Sequence, residues 1–258
     1  MRNHGVQYKI LHKGRIMEKS LYLILIGFFM LSFSAGHTYG QSADEVLEKL
    51  IRAQGGREKL AAIKDTTITG SFVMTAMGME GEMTAYQKEP NLLRMDIEIM
   101  GTTMTQAYDG KTAWMVNSET GTVEMMPEIA AEYFIREAYG NAAILEPDKH
   151  GISYSLKGKE VIESKEYIVL IQTFSDDFKV TMYIDPKTYL IHKTKSLALD
   201  GMMMETESEV VYSNYKETDG VLTAFNMTIY ENAIEDFVFT ASEVRYNTGL
   251  EESFFKRE

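Results

Sequence analysis

Two histidines, His150 and His192, and the carboxylates of Asp176-Asp177 and Asp185-Pro186 are the side chains beyond residue 40 best suited to chemistry. A metal centre needs three or four imidazole, thiolate or carboxylate ligands at characteristic spacings. Neither histidine has a second histidine or a cysteine near it in the sequence, so no metal site is expected. Neighbouring carboxylates can serve as general acid and base. Here, however, "TFSDDFK" and "YIDPKTY" read as turns, in which Asp caps the backbone and stays solvated. The chain has no Gly-x-Ser-x-Gly elbow, no phosphate loop and no cysteine at all. No catalytic residue and no cofactor are expected, and the residue types point away from an enzyme.

The elements that would position a site begin after the first forty residues. "MEKSLYLILIGFFMLSFSAGHTYGQS" has a charged start ending in Lys19, an apolar run from Leu21 to Phe33 and small residues before Gln41, the layout of a secretory signal peptide cleaved after Gly40. The run is shorter than the roughly 20 residues that span a bilayer. Residues 1–16 lengthen the leader without a physical reason, which points to Met17 as the true start. Without cysteine, export is not being used to form disulfides, and a lipid-anchored N-terminus is excluded. Losing Arg2, Lys9, Lys13, Arg15, Lys19 and Glu18 takes the formal net charge from -12 to -16. Such a surface argues against nucleic acid and against anionic membranes. The remaining 218 residues suffice for one domain, placed at 41–248, with a frayed tail at 249–258.

"SADEVLEKLIRAQGGREKLAAIKD" opens with Ser42 and Glu45 as a capping box, continues with a helical stripe through Val46, Leu50 and Ala53, and stops at Gly55-Gly56. After Asp65 the apolar period changes to two. In "TTITGSFVMTA" Ile68, Phe72, Met74 and Ala76 share a face, and in "NLLRMDIEIM" Leu93, Met95, Ile97 and Ile99 do. Turn signals recur at Gly78 with Gly81, Pro90-Asn91, Gly101, Asp109-Gly110, Glu119 to Gly121, Asp200-Gly201 and Asp219-Gly220. "PEIAAEYFIREAYGNAAIL" interrupts this run as a helix with Pro127 at its start. The expected fold is mainly β with a few helices: a curled antiparallel sheet of about ten strands forming a half-open barrel, with an N-terminal and a mid-chain helix over its concave face. A closed barrel or a two-layer sheet with a helical lid would show the same periodicity. An outer-membrane barrel fits less well, because no aromatic girdle repeats and helices interrupt the strands.

Fifteen of the 18 methionines follow the cleavage point, many at the apolar parity of their strands. Methionine is flexible and polarisable, so it suits either plain core packing or a surface that accepts varied apolar partners. "GMMMETE" cannot be all core, so at least one of Met202, Met203 and Met204 is expected to be exposed or to face a cavity. Trp114, the only tryptophan, lies between apolar faces and fits core packing or a cavity lining.

"YQKEPNLLRMDI", "AYDGKTAWMVNSETGTVEMM", "MYIDPKTYLI" and "NYKETDGVLTAFNMTIY", in that order behind "AQGGREKLAAIK", resemble the LolA/LolB-like family of outer-membrane lipoprotein carriers, nearest its outer-membrane lipoprotein-sorting branch. The similarity runs from about Ser42 to Tyr246. The resemblance implies an incomplete barrel with an apolar concave face, no chemical step and no cofactor. It implies a monomeric periplasmic carrier with acylated lipoprotein or lipid as cargo and membrane-bound donor and acceptor proteins. A peptide- or free-lipid-binding adaptor on the same fold is the alternative. The lining is assigned to Phe72, Met74, Met83, Met95, Ile97, Met104, Trp114, Phe134 and Met182. The family commonly has an arginine before the proline of the "EPN" turn, thought to latch a helical lid. Here Glu89 stands there, and Arg94 is the candidate substitute, although its parity with Asp96 and Glu98 also suits a cross-strand ion pair.

Overall fold

In a computed structural model of the chain, residues 41–118, 120–200 and 202–257 are described, and the expected signal peptide lies outside them. The N-cap of the expected capping box forms. Ser42 Oγ accepts the Glu45 amide at 3.1 Å, satisfying an otherwise orphaned donor, and α1 (Ala43–Ala53) follows. Gly55 and Gly56, at φ 131° and 94°, turn the chain into α2 (Arg57–Ala62) through backbone angles that a side chain would strain.

The alternating segments then form thirteen strands in one sheet. The first meander comprises β1 (Asp65–Met74), β2 (Met79–Lys88), β3 (Leu92–Ile99), β4 (Thr102–Tyr108), β5 (Ala113–Val116) and β6 (Val123–Met125). The second comprises β7 (Ser153–Ile162), β8 (Lys165–Thr173), β9 (Lys179–Ile184), β10 (Ile191–Leu199), β11 (Glu205–Thr218), β12 (Val221–Glu231) and β13 (Ile234–Tyr246). Their order across the sheet is β6-β5-β4-β3-β2-β1-β13-β12-β11-β10-β9-β8-β7, so the first and last strands meet at the centre. The edge strands β6 and β7 do not pair with one another, which leaves the sheet open rather than closed into a barrel. Between these edges run α3 (Glu128–Glu137), α4 (Ala142–Leu145) and a 3-10 turn at Pro147–His150.

The helices pack on one face of the sheet. Val46, Leu50 and Ile51 of α1, with Leu60 and Ile63, cover Ile168, Leu170, Met182 and Ile184 on β8 and β9. Phe134 of α3 and Ala138 cover Leu93, Tyr108 and Ala113 on β3–β5. Each fully buried Leu or Ile in these layers contributes about 1.5–3 kcal/mol, so the helices are held by packing rather than by propensity.

The C-terminal segment corrects one expectation: it is docked, not frayed. A 3-10 turn at Glu252–Phe255 lies against β3, and Phe255 is fully buried. Asp65 anchors the approach to it, accepting the amides of Thr248, Gly249 and Leu250 and the Thr248 hydroxyl. Burial alone would raise the Asp65 carboxyl, but these donors outweigh it and hold the group below the usual carboxylate range.

Candidate functional site

The sheet face that carries the helices has a central stretch that they leave uncovered. Phe72, Phe225, Phe239, Ala241 and Val244 are buried there, packed with half-buried Ile68, Met74, Met83, Ile97, Ile99, Met227 and Phe237. All of these residues belong to strands, so the floor is pure sheet. Register explains their convergence. Phe72 pairs with Phe239 across the β1–β13 seam and with Gly81 on β2, while Met83 pairs with Ile97, which pairs with Met104. Side chains at paired positions share a face, so the periodicity of several strands adds up to one apolar trough.

Two glycines shape it. A Cβ on Gly81 would come within 2.5 Å of the Phe72 ring, and one on Gly70 within 2.7 Å of the Phe239 ring. Gly81 therefore lies inside β2 and makes room for an aromatic ring, instead of marking a turn with Gly78. The freed Phe72 ring stacks on Phe237 at 5.1 Å.

At the end of the sheet nearer α2 the trough continues into a cavity of about 300 Å³, lined among others by Leu60, Ile63, Ile68, Tyr212, Met227 and Phe239. Its polar groups are engaged: the Tyr215 hydroxyl donates to the Ile191 carbonyl at 2.7 Å, and Tyr246 shares a hydrogen bond with Thr223 at 2.6 Å. Loss of bulk water pushes the Tyr212 hydroxyl up to about 12. Gln87, Gly140 and Asn141 form its rim.

That rim holds a contact that the sequence did not disclose. The Glu89 carboxylate accepts the amides of Asn141 and Ala142 at 3.0 and 3.3 Å, and Gln87 Nε2 donates to the Ala138 carbonyl at 3.0 Å. The end of β2 thus grips the segment joining α3 to α4. Burial pushes Glu89 up to about 7, against the pull of the two amides and Lys64. Arg94 does not take part. Its side chain faces the opposite side of the sheet, where it binds Asp96 at 3.0 Å, donates to the Phe254 carbonyl at 3.1 Å and covers the Phe254 ring at 4.3 Å.

The other candidate residues separate by face and cover. Phe72, Met74, Met83 and Ile97 come together in the trough, and Met104 lies beside Ile97. Met95 packs into the layer that Phe134 of α3 covers, and Met182 lies under α1. Trp114 is not on this face. It pairs with Ala107 in the row of Arg94, is buried, and its indole N–H donates to the Phe255 carbonyl at 2.9 Å. It is a core residue beneath the C-terminal turn.

Most of the side chains suited to catalysis have structural partners. Asp176 binds Arg136 and caps its own turn through the Phe178 amide at 3.2 Å. Asp185 pairs with Lys165 at 2.8 Å and accepts the Lys187 amide. His192 stacks on Tyr167 at 4.8 Å and His150 lies against Tyr139 at 5.3 Å. A larger groove of about 1050 Å³ on the opposite face of β8–β11 is lined by polar and apolar side chains alike, and within it Lys193 and Lys195 both bind Glu209. Among the described residues no group of three or more His, Cys, Asp or Glu side chains could hold a metal ion, and no helix is long and apolar enough to cross a membrane.

An open antiparallel sheet with helices at both ends of one apolar face defines a class of fold, and solved structures share it. A LolA superfamily protein from Nitrosomonas europaea superposes with a TM-score of 0.58 at 13% identity, over 84% of this chain and 98% of that one. A domain from Vibrio parahaemolyticus described as outer membrane lipoprotein-sorting superposes at 0.55 and 15% identity, over 83% of this chain and 95% of that one. A DUF1329 family protein from Desulfovibrio piger gives 0.55 and 15%, over 83% and 97%. No protein-family model matches the chain, and no curated protein does. The chain therefore has the LolA-like fold, at identities that speak for the fold alone.

Proposed function

We propose that the chain is an exported, periplasmic carrier that shields acyl chains of lipoproteins or lipids in the trough, without catalysing a reaction on them. The observation that carries this reading is the strip of half-buried Met74, Met83, Ile97, Ile99, Met227 and Phe237 left open between two helix-covered layers. Burying ten methylenes there would supply about 8 kcal/mol gross. Association entropy removes several kcal/mol, which leaves binding that is useful yet reversible. Flexible methionines fill the empty trough and move aside at small rotamer expense. The LolA-like fold of the structures with which the chain superposes supports the reading.

Titration with a long-chain fatty acid, followed by displacement of an apolar dye, tests it. Ile97→Asn and Met83→Asn are expected to weaken uptake at least tenfold while leaving the melting temperature within a few degrees. Equal uptake by both variants and the parent would remove the trough from consideration. Cleavage after Gly40 is tested separately by the intact mass of the secreted chain.

A further inference from the structure

Antiparallel register sets several hairpin tips side by side at one end of the sheet. Met74 pairs with both Met79 and Phe237, which places the β1–β2 and β12–β13 tips together. Gly81 pairs with Ile99, bringing in the β3–β4 tip, and the Asn232 amide donates to the Glu207 carbonyl at 3.0 Å, bringing in the β10–β11 tip. These tips expose Met77, Met100, Met202, Met203, Met204 and Ile234, from 41% for Met203 to 87% for Met100. Large apolar side chains concentrated on turns, where polar residues are the rule, mark an interaction surface. At the other end Val161 and, on the edge strand β6, Met125 are exposed to a comparable degree among the described residues, but on separate strands rather than on adjoining tips.

The segments that carry these tips bear charge of one sign, and the nearest lysines, Lys179 and Lys195, line the groove that Ala233 borders on the other face. The four segments 65–87, 95–110, 196–215 and 217–244, which carry these tips, contain no lysine or arginine. Glu80, Glu98, Asp200, Glu205, Glu231 and Glu235 lie near the tips, and none of them is in an ion pair among the described residues. Burial first, then the charges of Asp236 and Asp200, push the Glu231 carboxyl up, which reflects how closely these acids crowd. An anionic bilayer would be repelled. Adaptable methionines inside a collar of carboxylates complement an apolar stripe flanked by cations.

We propose that this methionine-tipped end is a docking surface for a basic amphipathic helix presented by a partner protein. The surface is independent of the trough: its methionines are turn residues, Ile234 begins β13, and none of them belongs to the trough floor. A 16-residue leucine–lysine peptide with helical periodicity serves as probe, and a scrambled isomer of the same composition separates shape from charge. Fluorescence anisotropy is expected to show the amphipathic peptide binding at least tenfold tighter than its isomer. Met100→Gln/Met202→Gln/Met204→Gln should erase that margin without changing the melting temperature, and Glu80→Lys/Glu98→Lys should weaken both peptides. Equal affinity for the two peptides, binding unaffected by the glutamine variant, or loss of binding in Ile97→Asn instead would each overturn the assignment. So would flotation of the protein with phosphatidylcholine vesicles, because the tips would then be membrane anchors.

Discussion

Truncating Phe255, the residue whose carbonyl accepts the Trp114 indole N–H, to alanine empties a site that is completely enclosed. Phe→Ala at a buried position costs about 3–5 kcal/mol through lost transfer energy and the residual cavity. The Trp114 bond to the Phe255 carbonyl is a backbone contact and survives only if the turn stays docked. For a domain of this size each kcal/mol lowers the melting temperature by about 2–4 °C, so a drop of roughly 10 °C is expected. Trp114 is the only tryptophan, so its emission reports this one place, and it should shift to the red in the variant before any unfolding. Phe254→Ala is the internal control. Phe254 is half-buried, meets Tyr86 edge-on at 4.9 Å and lies under Arg94, so its loss should cost about 1 kcal/mol and leave the emission in place. An unchanged melting point and an unchanged emission in Phe255→Ala would refute the docked turn.

Glu89 gives a pH signature. Its folded carboxyl titrates near 7 against 4.5 when unfolded, so the folded state holds the extra proton between those values and stability falls as pH rises through them, by up to about 3 kcal/mol. Urea unfolding of the parent and Glu89→Gln at pH 5 and pH 8 checks this; parallel losses in both proteins would assign the effect elsewhere. Asp65 acts with the opposite sign. Its depressed carboxyl adds stability that is present above the usual range and lost in acid, and Asp65→Asn should destabilise by about 2 kcal/mol or more at pH 7. Arg136 binds Asp176 and covers Phe178 at 4.2 Å, so Arg136→Ala should speed amide exchange in α3 with little change in β1 or β13.

Much of the fold was legible where a local signal agreed with the final structure. Ser42 with Glu45, Gly55-Gly56, Pro127 and the period-two runs all mark elements that formed. Sharp turns also appeared at Asp109-Gly110 and around Asp219-Gly220. Face assignments within strands held where alternation was strict, as for Phe72, Met83 and Ile97. For Trp114 the sequence leaves core packing and a cavity lining both open, because both faces of β5 are apolar: one is covered by α3 and the other by the C-terminal turn. "GLEESFFKRE" gave no warning of that cover, since its charges read as a solvated tail while Phe254 and Phe255 do the packing. The Glu89 grip was invisible for a related reason. Its partners are backbone amides of a distant segment, and backbone donors leave no trace in residue identity. Phe225, Phe237 and Phe239 of the trough floor could have been found from the alternation in "VLTAFNMTIY" and "EDFVFTASEVRY".

The placement of the first and last strands side by side has a kinetic meaning. Every other pairing joins strands that are neighbours in the chain, so two separate meanders can form from short-range turns. The β1–β13 seam, in which Thr66 meets Tyr246, closes only after the whole domain has been made. Loop closure over that span is entropically expensive and slow, so the seam sets the folding time and keeps the trough from existing in any partly synthesised chain.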